Sequence, residues 1–307
     1  MKDVLVTGSL AFDYIMRVGG RFGSRLESTT SAGFSAAFVA PSLQRRFGGC
    51  AGNIAYGLRQ LGESPVLMAT AGEDFPPYRE HLRLSDIDDS QVKIIEGAFT
   101  AQAFIAADDD ESQIIIFHPG ATSHAHEQGV GDLSSPPAFA IVSPNGKDGM
   151  LRFGRELAET KTPFIFDPGQ AIGLFSAAEL NEMLSICDIA IFNHDEHVAA
   201  EKITGTVFVP GEKQAMVITR GVDGSQVSGG GKTHQTAAAV FGETVDTTGC
   251  GDAYRAGMLY GLTREWKWPQ IISYASVVAG IKATRPGGQD YTMNAEDVSQ
   301  KCKQVFG

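Results

Sequence analysis

The second half of the chain repeats short apolar runs between polar or helix-compatible stretches, and this alternation constrains the fold most strongly. Four such runs occupy residues 138–142, 164–166, 189–192 and 216–219. Strands that alternate with helical segments at this spacing form a mainly parallel sheet with helices on both faces. The sequence therefore predicts an α/β protein built on one large parallel sheet.

Two regions do not follow this alternation. Residues 19–42 are rich in Gly, Ser and Thr, and they predict strands and loops that stand off the main body. Residues 101–107 and 113–117 predict a strand pair, joined by the acidic residues 108–111. Four acidic residues between two strands are more typical of a solvated hairpin turn than of a metal site.

Composition and charge argue against several classes of partner. The 307 residues are 43% hydrophobic and 20% charged, with a formal net charge of −11, which argues against a nucleic-acid ligand. No apolar run approaches the roughly 18 residues that span a bilayer, and the N-terminus lacks the pattern of a signal peptide. The four widely spaced cysteines are typical of reduced thiols. We expect a cytoplasmic protein without a membrane partner.

The most informative motif lies at residues 246–257 and reads Asp-Thr-Thr-Gly-Cys-Gly-Asp-Ala-Tyr-Arg-Ala-Gly, directly before an apolar helical stretch. The N–H groups of Gly249, Cys250 and Gly251 can converge on one anion, and the helix dipole adds partial positive charge. A transferring phosphoryl group is such an anion, and Asp252 would then face the acceptor hydroxyl as general base. An ordinary glycine-rich helix start remains the alternative at this point.

The same string resembles the second signature of the PfkB (ribokinase-like) family of carbohydrate and nucleoside kinases. That pattern is Asp-Thr-x-Gly-x-Gly-Asp-x-Phe-x-x-Gly, and this chain departs from it in Tyr254 and carries Cys250 where Ala is most frequent. Residues 47–55, Phe-Gly-Gly-Cys-Ala-Gly-Asn-Ile-Ala, resemble the first signature of the family. Residues 8–13, Gly-Ser-Leu-Ala-Phe-Asp, match its Gly-x-x-x-x-Asp motif. The resemblance implies that Asp252 is the catalytic base.

The first two motifs imply how a sugar would be held. By resemblance, Asp13 accepts hydrogen bonds from two vicinal hydroxyls and Asn53 reaches the sugar. Gly48 and Gly49 would let the backbone approach the hydroxyls closely. Without the resemblance, Asp13 would be a turn residue and the two glycines a plain tight turn.

Two further motifs imply a nucleotide site. Residues 193–196, Asn-His-Asp-Glu, resemble an Asn-x-x-Glu motif that positions Mg²⁺ and phosphate largely through water, and residues 219–224 resemble a nucleotide-binding Thr-x-Gly-x-x-Gly loop. The residues expected on the ATP side are Asn193, Glu196 (water-mediated to Mg²⁺), Thr219, Gly221, Gly224 and Thr248. Related enzymes often hold a monovalent cation beside the anion hole. Asp246, Thr248 and residues 285–289 are therefore a possible K⁺ site.

Membership of this family would imply one kinase domain over residues 1–307, with a small β-sheet lid formed by residues 14–47 and 98–118. Lid closure would exclude water from the phosphoryl donor. Both monomer and homodimer are compatible with the resemblance. Residues 231–233, Gly-Lys-Thr, match the end of a P-loop motif. The motif also requires a glycine five residues before Gly231, where this chain has Gln226, so a β-hairpin is the better interpretation.

Several stretches resemble the bacterial adenosine kinase branch more than ribokinase or fructokinase, among them residues 72–79, 117–121 and 167–170. A nucleoside base needs an apolar slot, and Phe104 and Phe117 are candidates to sandwich it, with ordinary sheet packing as the alternative.

The expected reaction is transfer of the γ-phosphoryl group of Mg·ATP to the 5′-hydroxyl of a ribonucleoside, with adenosine as first choice. A kinase for ribose, fructose or a related sugar shares every catalytic motif and is the first alternative. A nucleoside- or sugar-binding regulator without activity is the second. The intact Asp252 argues against it, because a pure binding protein needs no base.

Overall fold

The computed structural model describes residues 3–23, 37–110 and 112–307 of the chain. Most of the Ser- and Thr-rich part of the first predicted lid segment, residues 24–36, lies outside the described residues, as does residue 111 of the acidic turn. Within the described part, the strands form one sheet of nine strands and a second sheet of four. None of the described helices is long and apolar enough to cross a bilayer.

The large sheet has the spatial order β13-β12-β11-β10-β9-β8-β1-β4-β5. Its strands are β1 (Val4–Thr7), β4 (Val66–Ala71), β5 (Val92–Ile94), β8 (Phe139–Val142), β9 (Phe164–Phe166), β10 (Ile189–Asn193), β11 (Ala215–Thr219), β12 (Ser225–Gly229) and β13 (Lys232–Thr236). The strands from β11 to β5 pair in parallel, and β12 and β13 add an antiparallel edge. The predicted parallel sheet is confirmed, and its carboxyl ends share one edge.

Eight helices follow the strands along the described chain. They are α1 (Cys50–Gln60), α2 (Pro76–Leu84), α3 (Lys147–Glu159), α4 (Ala177–Ile186), α5 (His194–Thr204), α6 (Cys250–Thr263), α7 (Trp268–Ala283) and α8 (Ala295–Phe306). Short 3-10 turns occur at Gly120–Glu127, Val130–Asp132, Gly169–Leu174 and Gly221–Asp223.

Strand residues alternate between two cores, as the period of two in a β-strand requires. In β9, Ile165 packs into the core that contains α1, α6 and α7, whereas Phe164 and Phe166 pack into the core that contains α3 and α4. All three side chains are fully buried. A sheet with both faces covered in this way carries near-continuous apolar runs, which is why the strands were recognisable in the sequence.

The second sheet has the order β3-β2-β6-β7 and stands apart from the large one. Its strands are β2 (Ala11–Arg17), β3 (Ser42–Gly48), β6 (Ala101–Ala107) and β7 (Gln113–His118). β2 pairs with β6 in parallel, and the other two pairings are antiparallel. β2 leaves β1 at the carboxyl edge of the large sheet, so the second sheet lies beside that edge.

The Gly-Lys-Thr segment forms a hairpin, as the sequence predicted. β12 and β13 are joined by Gly230 and Gly231, whose φ angles are 55° and 71°. Positive φ at both central residues is the type I′ turn that suits the twist of a two-stranded ribbon. A P-loop would instead connect a strand to a helix.

Candidate active site

Two helix N-termini meet at the carboxyl edge of the large sheet. Gly49 precedes α1 with φ of 88°, and Gly249 precedes α6 with φ of 75°, values that glycine adopts without strain. A Cβ on Gly249 would lie 2.8 Å from the Cα of Gly288, so the loop after α7 closes against the same point. Three segments distant in sequence therefore enclose the start of α6.

The start of α6 has the form of an anion site. The N–H groups of Gly249 and Gly251 have no hydrogen-bond partner among the described residues, and they lie at the positive end of the helix dipole. The N–H of Cys250 donates to the carbonyl of Thr247 at 3.1 Å. Two of the three amides of the predicted anion hole are thus open, and the third is held in a turn.

Asp252 lies in the first turn of α6, partly exposed. The Nδ2 of Asn53 donates to its Oδ2 at 2.8 Å, and this contact joins α1 to α6. Burial raises the pKa of Asp252, against the opposing charge of Arg255. A carboxylate with a raised pKa accepts a proton more readily, as a general base for a hydroxyl must.

Asp13 lies on β2 beside Asp252. Burial raises its pKa to about 6, the carboxylates of Asp252 and Asp246 add to the rise, and Arg46 opposes it. Gly48 leaves room for this side chain, because a Cβ there would overlap the Asp13 carboxyl group. The site therefore gathers carboxylates at a helix N-terminus that could hold a sugar and take up a proton.

A hydrogen-bond network holds Asn53 in place. Gln289 Nε2 donates to Asn53 Oδ1 at 3.0 Å and lies 2.7 Å from the hydroxyl of Tyr78. His81 Nε2 lies 2.9 Å from Gln289 Oε1, and burial lowers the pKa of His81. Because Asn53 Oδ1 is an acceptor for Gln289, its Nδ2 is directed at Asp252. No sequence pattern indicated this role for Gln289 or His81, since no spacing rule connects them with Asn53.

A buried ion pair fixes the second turn of α6. Arg255 Nη2 donates to Asp167 Oδ1 at 2.6 Å, Arg255 Nε donates to Asp167 Oδ2, and Nη1 donates to the Gly251 carbonyl at 3.1 Å. Arg255 is 6% exposed and Asp167 is fully buried. Asp167 follows β9, so this bidentate contact ties the anion site to the edge of the sheet. Both residues lay in recognised stretches, but the sequence assigned them no role.

The predicted ATP-side residues lie at the ends of two neighbouring strands. Asn193 and Thr219 are register partners at the carboxyl ends of β10 and β11. Gly221 and Gly224 flank the turn after β11 with φ of 55° and 84°, and a Cβ on Gly224 would overlap the backbone of β13.

Asn193 and Glu196 form a capping box at the start of α5. Asn193 Oδ1 accepts from the Glu196 N–H at 2.8 Å, and Glu196 Oε2 accepts from the Asn193 N–H at 2.7 Å. Burial raises the pKa of Glu196. No group of three or more His, Cys, Asp or Glu side chains suited to a metal occurs among the described residues.

Among the groups predicted to hold K⁺, the oxygens of Asp246 and Arg285 accept hydrogen bonds from protein donors. The N–H groups of Thr248 and Gly287 donate to the two carboxylate oxygens of Asp246, both at 2.8 Å. The ammonium of Lys282 donates to the Asp246 carbonyl at 2.7 Å and to the Arg285 carbonyl at 3.2 Å. These donors do not fit a K⁺ ion at the same oxygens.

The hypothesis that Phe104 and Phe117 sandwich a base is wrong. In the second sheet, Ala103 of β6 is the register partner of both Asp13 on β2 and Phe117 on β7. Phe104, the next residue of β6, is the register partner of Tyr14. Neighbouring positions alternate between faces, so the two phenylalanines lie on opposite sides of the sheet. Phe104 stacks on Tyr14 with ring centroids 5.1 Å apart, and only Phe117 shares the face of Asp13.

Comparisons with known proteins agree with this geometry. A model of the pfkB family carbohydrate kinases matches residues 1–295. The structure of the Burkholderia thailandensis nucleoside kinase in complex with inosine is similar, with a TM-score of 0.88 and 34% identity over 99% of this chain and 98% of that one. The same enzyme in complex with ADP-inosine gives a TM-score of 0.85.

Curated sequences give the same result. The nucleoside kinase of Methanothermobacter thermautotrophicus is 28% identical over 99% of this chain and 95% of its own length. The ribokinase of Haemophilus influenzae is 23% identical over 94% of each chain. The ribokinase-like fold and the site define a phosphotransferase that acts on an alcohol group. The chain belongs to the PfkB family of carbohydrate kinases.

Proposed function

We propose that this protein is a ribonucleoside kinase that transfers the γ-phosphoryl group of ATP to a 5′-hydroxyl, with adenosine as the first candidate acceptor. The observation that carries the proposal is the Asn53–Asp252 hydrogen bond at the open N-terminus of α6, with Asp13 beside it. The similarity to nucleoside kinases over the full chain supports a nucleoside rather than a free sugar. Inosine is the second candidate, because the Burkholderia enzyme binds it.

In the proposed reaction, Asp13 accepts hydrogen bonds from the vicinal hydroxyls of the ribose. Asn53 orients both the sugar and Asp252, which takes the proton of the 5′-hydroxyl as that oxygen attacks the γ-phosphorus. The open amides of Gly249 and Gly251 stabilise the charge that develops on the transferring group. ADP leaves with the bond between the γ-phosphorus and its bridging oxygen broken.

ATP would lie along the carboxyl ends of β10 and β11, against Asn193, Thr219, Gly221, Gly224 and Thr248. Ligands of open α/β sheets bind at this edge. The residues fit Mg²⁺ in its usual mode, because the ion is commonly held by one or two carboxylates, waters and substrate phosphates. Glu196 would hold it through water, and the ion would neutralise phosphate charge.

The second sheet would act as a lid over the nucleoside. Phe117 lies on the face of Asp13, is 55% exposed, and can stack on a base. We also propose a cytoplasmic location for the single kinase domain, in line with its free cysteines. Monomer and homodimer remain alternatives that gel filtration distinguishes.

The test is turnover of Mg·ATP by purified protein with adenosine, inosine, other nucleosides, ribose and fructose, with each product identified by mass. A nucleoside 5′-monophosphate supports the proposal, and the relative kcat/KM values identify the acceptor. A sugar phosphate would establish the sugar-kinase alternative. Binding without any product would favour the regulator.

The variant Asp252→Asn serves as the catalytic control. We expect kcat to fall by roughly a thousandfold or more with nucleoside affinity nearly unchanged, because only the transferring proton loses its acceptor. Substantial turnover by this variant would exclude Asp252 as the base.

A further inference from the structure

A lysine ammonium lies buried directly behind the anion site. Lys282 belongs to the last turn of α7 and is fully buried, which is rare for a lysine unless its charge is paired or hydrogen-bonded. Its Nζ donates to the carbonyls of Asp246 and Arg285, at 2.7 and 3.2 Å. The ammonium therefore bridges the segment that enters α6 and the loop that leaves α7.

The same two segments are joined a second time by the Asp246 carboxylate. Its oxygens accept from the N–H groups of Thr248 and Gly287. Burial lowers the pKa of Lys282, and the neighbouring Cys250 and Asp246 groups oppose this. The positive group thus lies next to the first turn of α6, where phosphoryl charge would be stabilised.

The ammonium disfavours a monovalent cation at these carbonyls. An ion bound to either oxygen would lie only about 4–5 Å from Nζ, where two like charges in a buried site repel strongly. The fold family implies a K⁺ ion at this place, and the residues of this chain do not fit it.

We propose that the Lys282 ammonium takes the place of the monovalent cation, so that this kinase works without K⁺. The lysine acts as a positioning residue: it holds the 246–249 segment against the 285–288 loop and adds positive charge behind the amides of Gly249 and Gly251. The inference rests on the proposed function for its kinetic part only, because the ion-binding part is measurable without turnover.

The kinetic test compares the wild-type rate in KCl, NaCl and choline chloride at equal ionic strength. We expect agreement within about twofold, since an ion that does not bind has no coupling free energy with catalysis. Lys282→Ala should lose roughly a hundredfold in kcat, the usual effect of removing one group that stabilises transition-state charge. K⁺ or NH₄⁺ should restore part of that loss by entering the vacated space, and choline should not.

The second readout is thermal unfolding without nucleotide or nucleoside. The Tm of Lys282→Ala should rise in KCl relative to choline chloride, because an ion bound only by the folded state stabilises it. The wild-type Tm should be equal in both salts. Lys93→Met is the matched control: its ammonium also donates to a backbone carbonyl, that of Glu127, but on the far edge strand β5.

Stimulation of the wild type by K⁺, or a K⁺-dependent rise in its Tm, would overturn the proposal whether or not the alanine variant folds. A folded Lys282→Met variant with wild-type kcat in choline chloride would also overturn it, since the lysine would then be only structural. If no acceptor is phosphorylated, the proposed function fails, yet the Tm comparison still decides whether K⁺ binds.

Discussion

Replacing Asp13 with Asn tests whether the active site assembles its carboxylates at the expense of stability. Burial raises the pKa of Asp13 from 3.8 to about 6, and Asp252 and Asp246 add to the rise. Between these two pH values the folded protein holds a proton that the unfolded chain has released. The free energy of unfolding contributed by Asp13 therefore falls as pH rises from about 4 to above 6.

The size of the effect follows from the same numbers. A rise of about two units in the pKa of Asp13 corresponds to about 3 kcal/mol of destabilisation, which is present in full at pH 8 and mostly lost at pH 4. Asn cannot ionise, so Asp13→Asn should be more stable than the wild type at pH 8 by up to that amount. At about 2 °C per kcal/mol for a chain of this size, Tm should rise by about 6 °C.

The assay is thermal unfolding of both proteins at pH 4.5 and pH 8, without ligands. The stabilisation of Asp13→Asn should appear in full at pH 8 and fall to about a third of that value at pH 4.5. The nucleoside KM should rise roughly a hundredfold, because two hydroxyls lose a charged acceptor. Asp3→Asn, at the exposed residue before β1, is the control for loss of a carboxylate outside the site.

One result would refute the reasoning. If Asp13→Asn lowers Tm equally at both pH values, Asp13 makes net favourable contacts and the carboxylates are not held together against repulsion. A rise in Tm equal to that of Asp3→Asn would show only an effect of net charge.

Three further results are expected. Phe117→Ala should raise the nucleoside KM roughly five- to a hundredfold, which corresponds to the free energy of stacking one base on an aromatic ring, while Phe104→Ala should leave it unchanged. Equal KM values for the two variants would show that Phe117 does not contact the base. Arg255→Met should cost about 3–5 kcal/mol of unfolding free energy by leaving a buried charge unpaired, and adding Asp167→Asn should recover most of it in urea titrations. Gln289→Leu should lower kcat by roughly five- to tenfold, which corresponds to the free energy of one hydrogen bond, because Asn53 is then no longer held towards Asp252; an unchanged kcat would contradict a role of Gln289 in positioning Asn53.

The elements could be predicted where a local pattern decides the structure. The apolar runs that became β8 to β11 are buried on both faces, so hydrophobicity alone marked them. Asn294 precedes α8 and is a residue type that favours the N-cap position, and its side chain accepts the Asp297 N–H at 2.8 Å. The glycines at 249 and 251 likewise signalled the start of α6.

What the sequence could not supply was register and long-range pairing. Phe104 and Phe117 were placed on the correct strands, but a shift of one position moves a side chain to the other face. The pairing of β6 with β7 was predicted, but the register of the two strands, and hence the face on which each side chain lies, was not readable from either strand alone. Lys282 is 36 positions from Asp246, and Gln289 is 236 positions from Asn53, so only the fold brings each pair together.

The carboxylates that destabilise the free site are also the groups that would recognise its substrate. Ribose hydroxyls donate hydrogen bonds to an ionised carboxylate and therefore favour its charged form, so nucleoside binding should lower the pKa of Asp13. By linkage, nucleoside affinity then rises with pH up to the pKa of the free site, about 6, and becomes constant above it. Destabilisation of the empty site and affinity for nucleoside thus have one electrostatic origin, which explains why a more stable Asn variant would bind poorly.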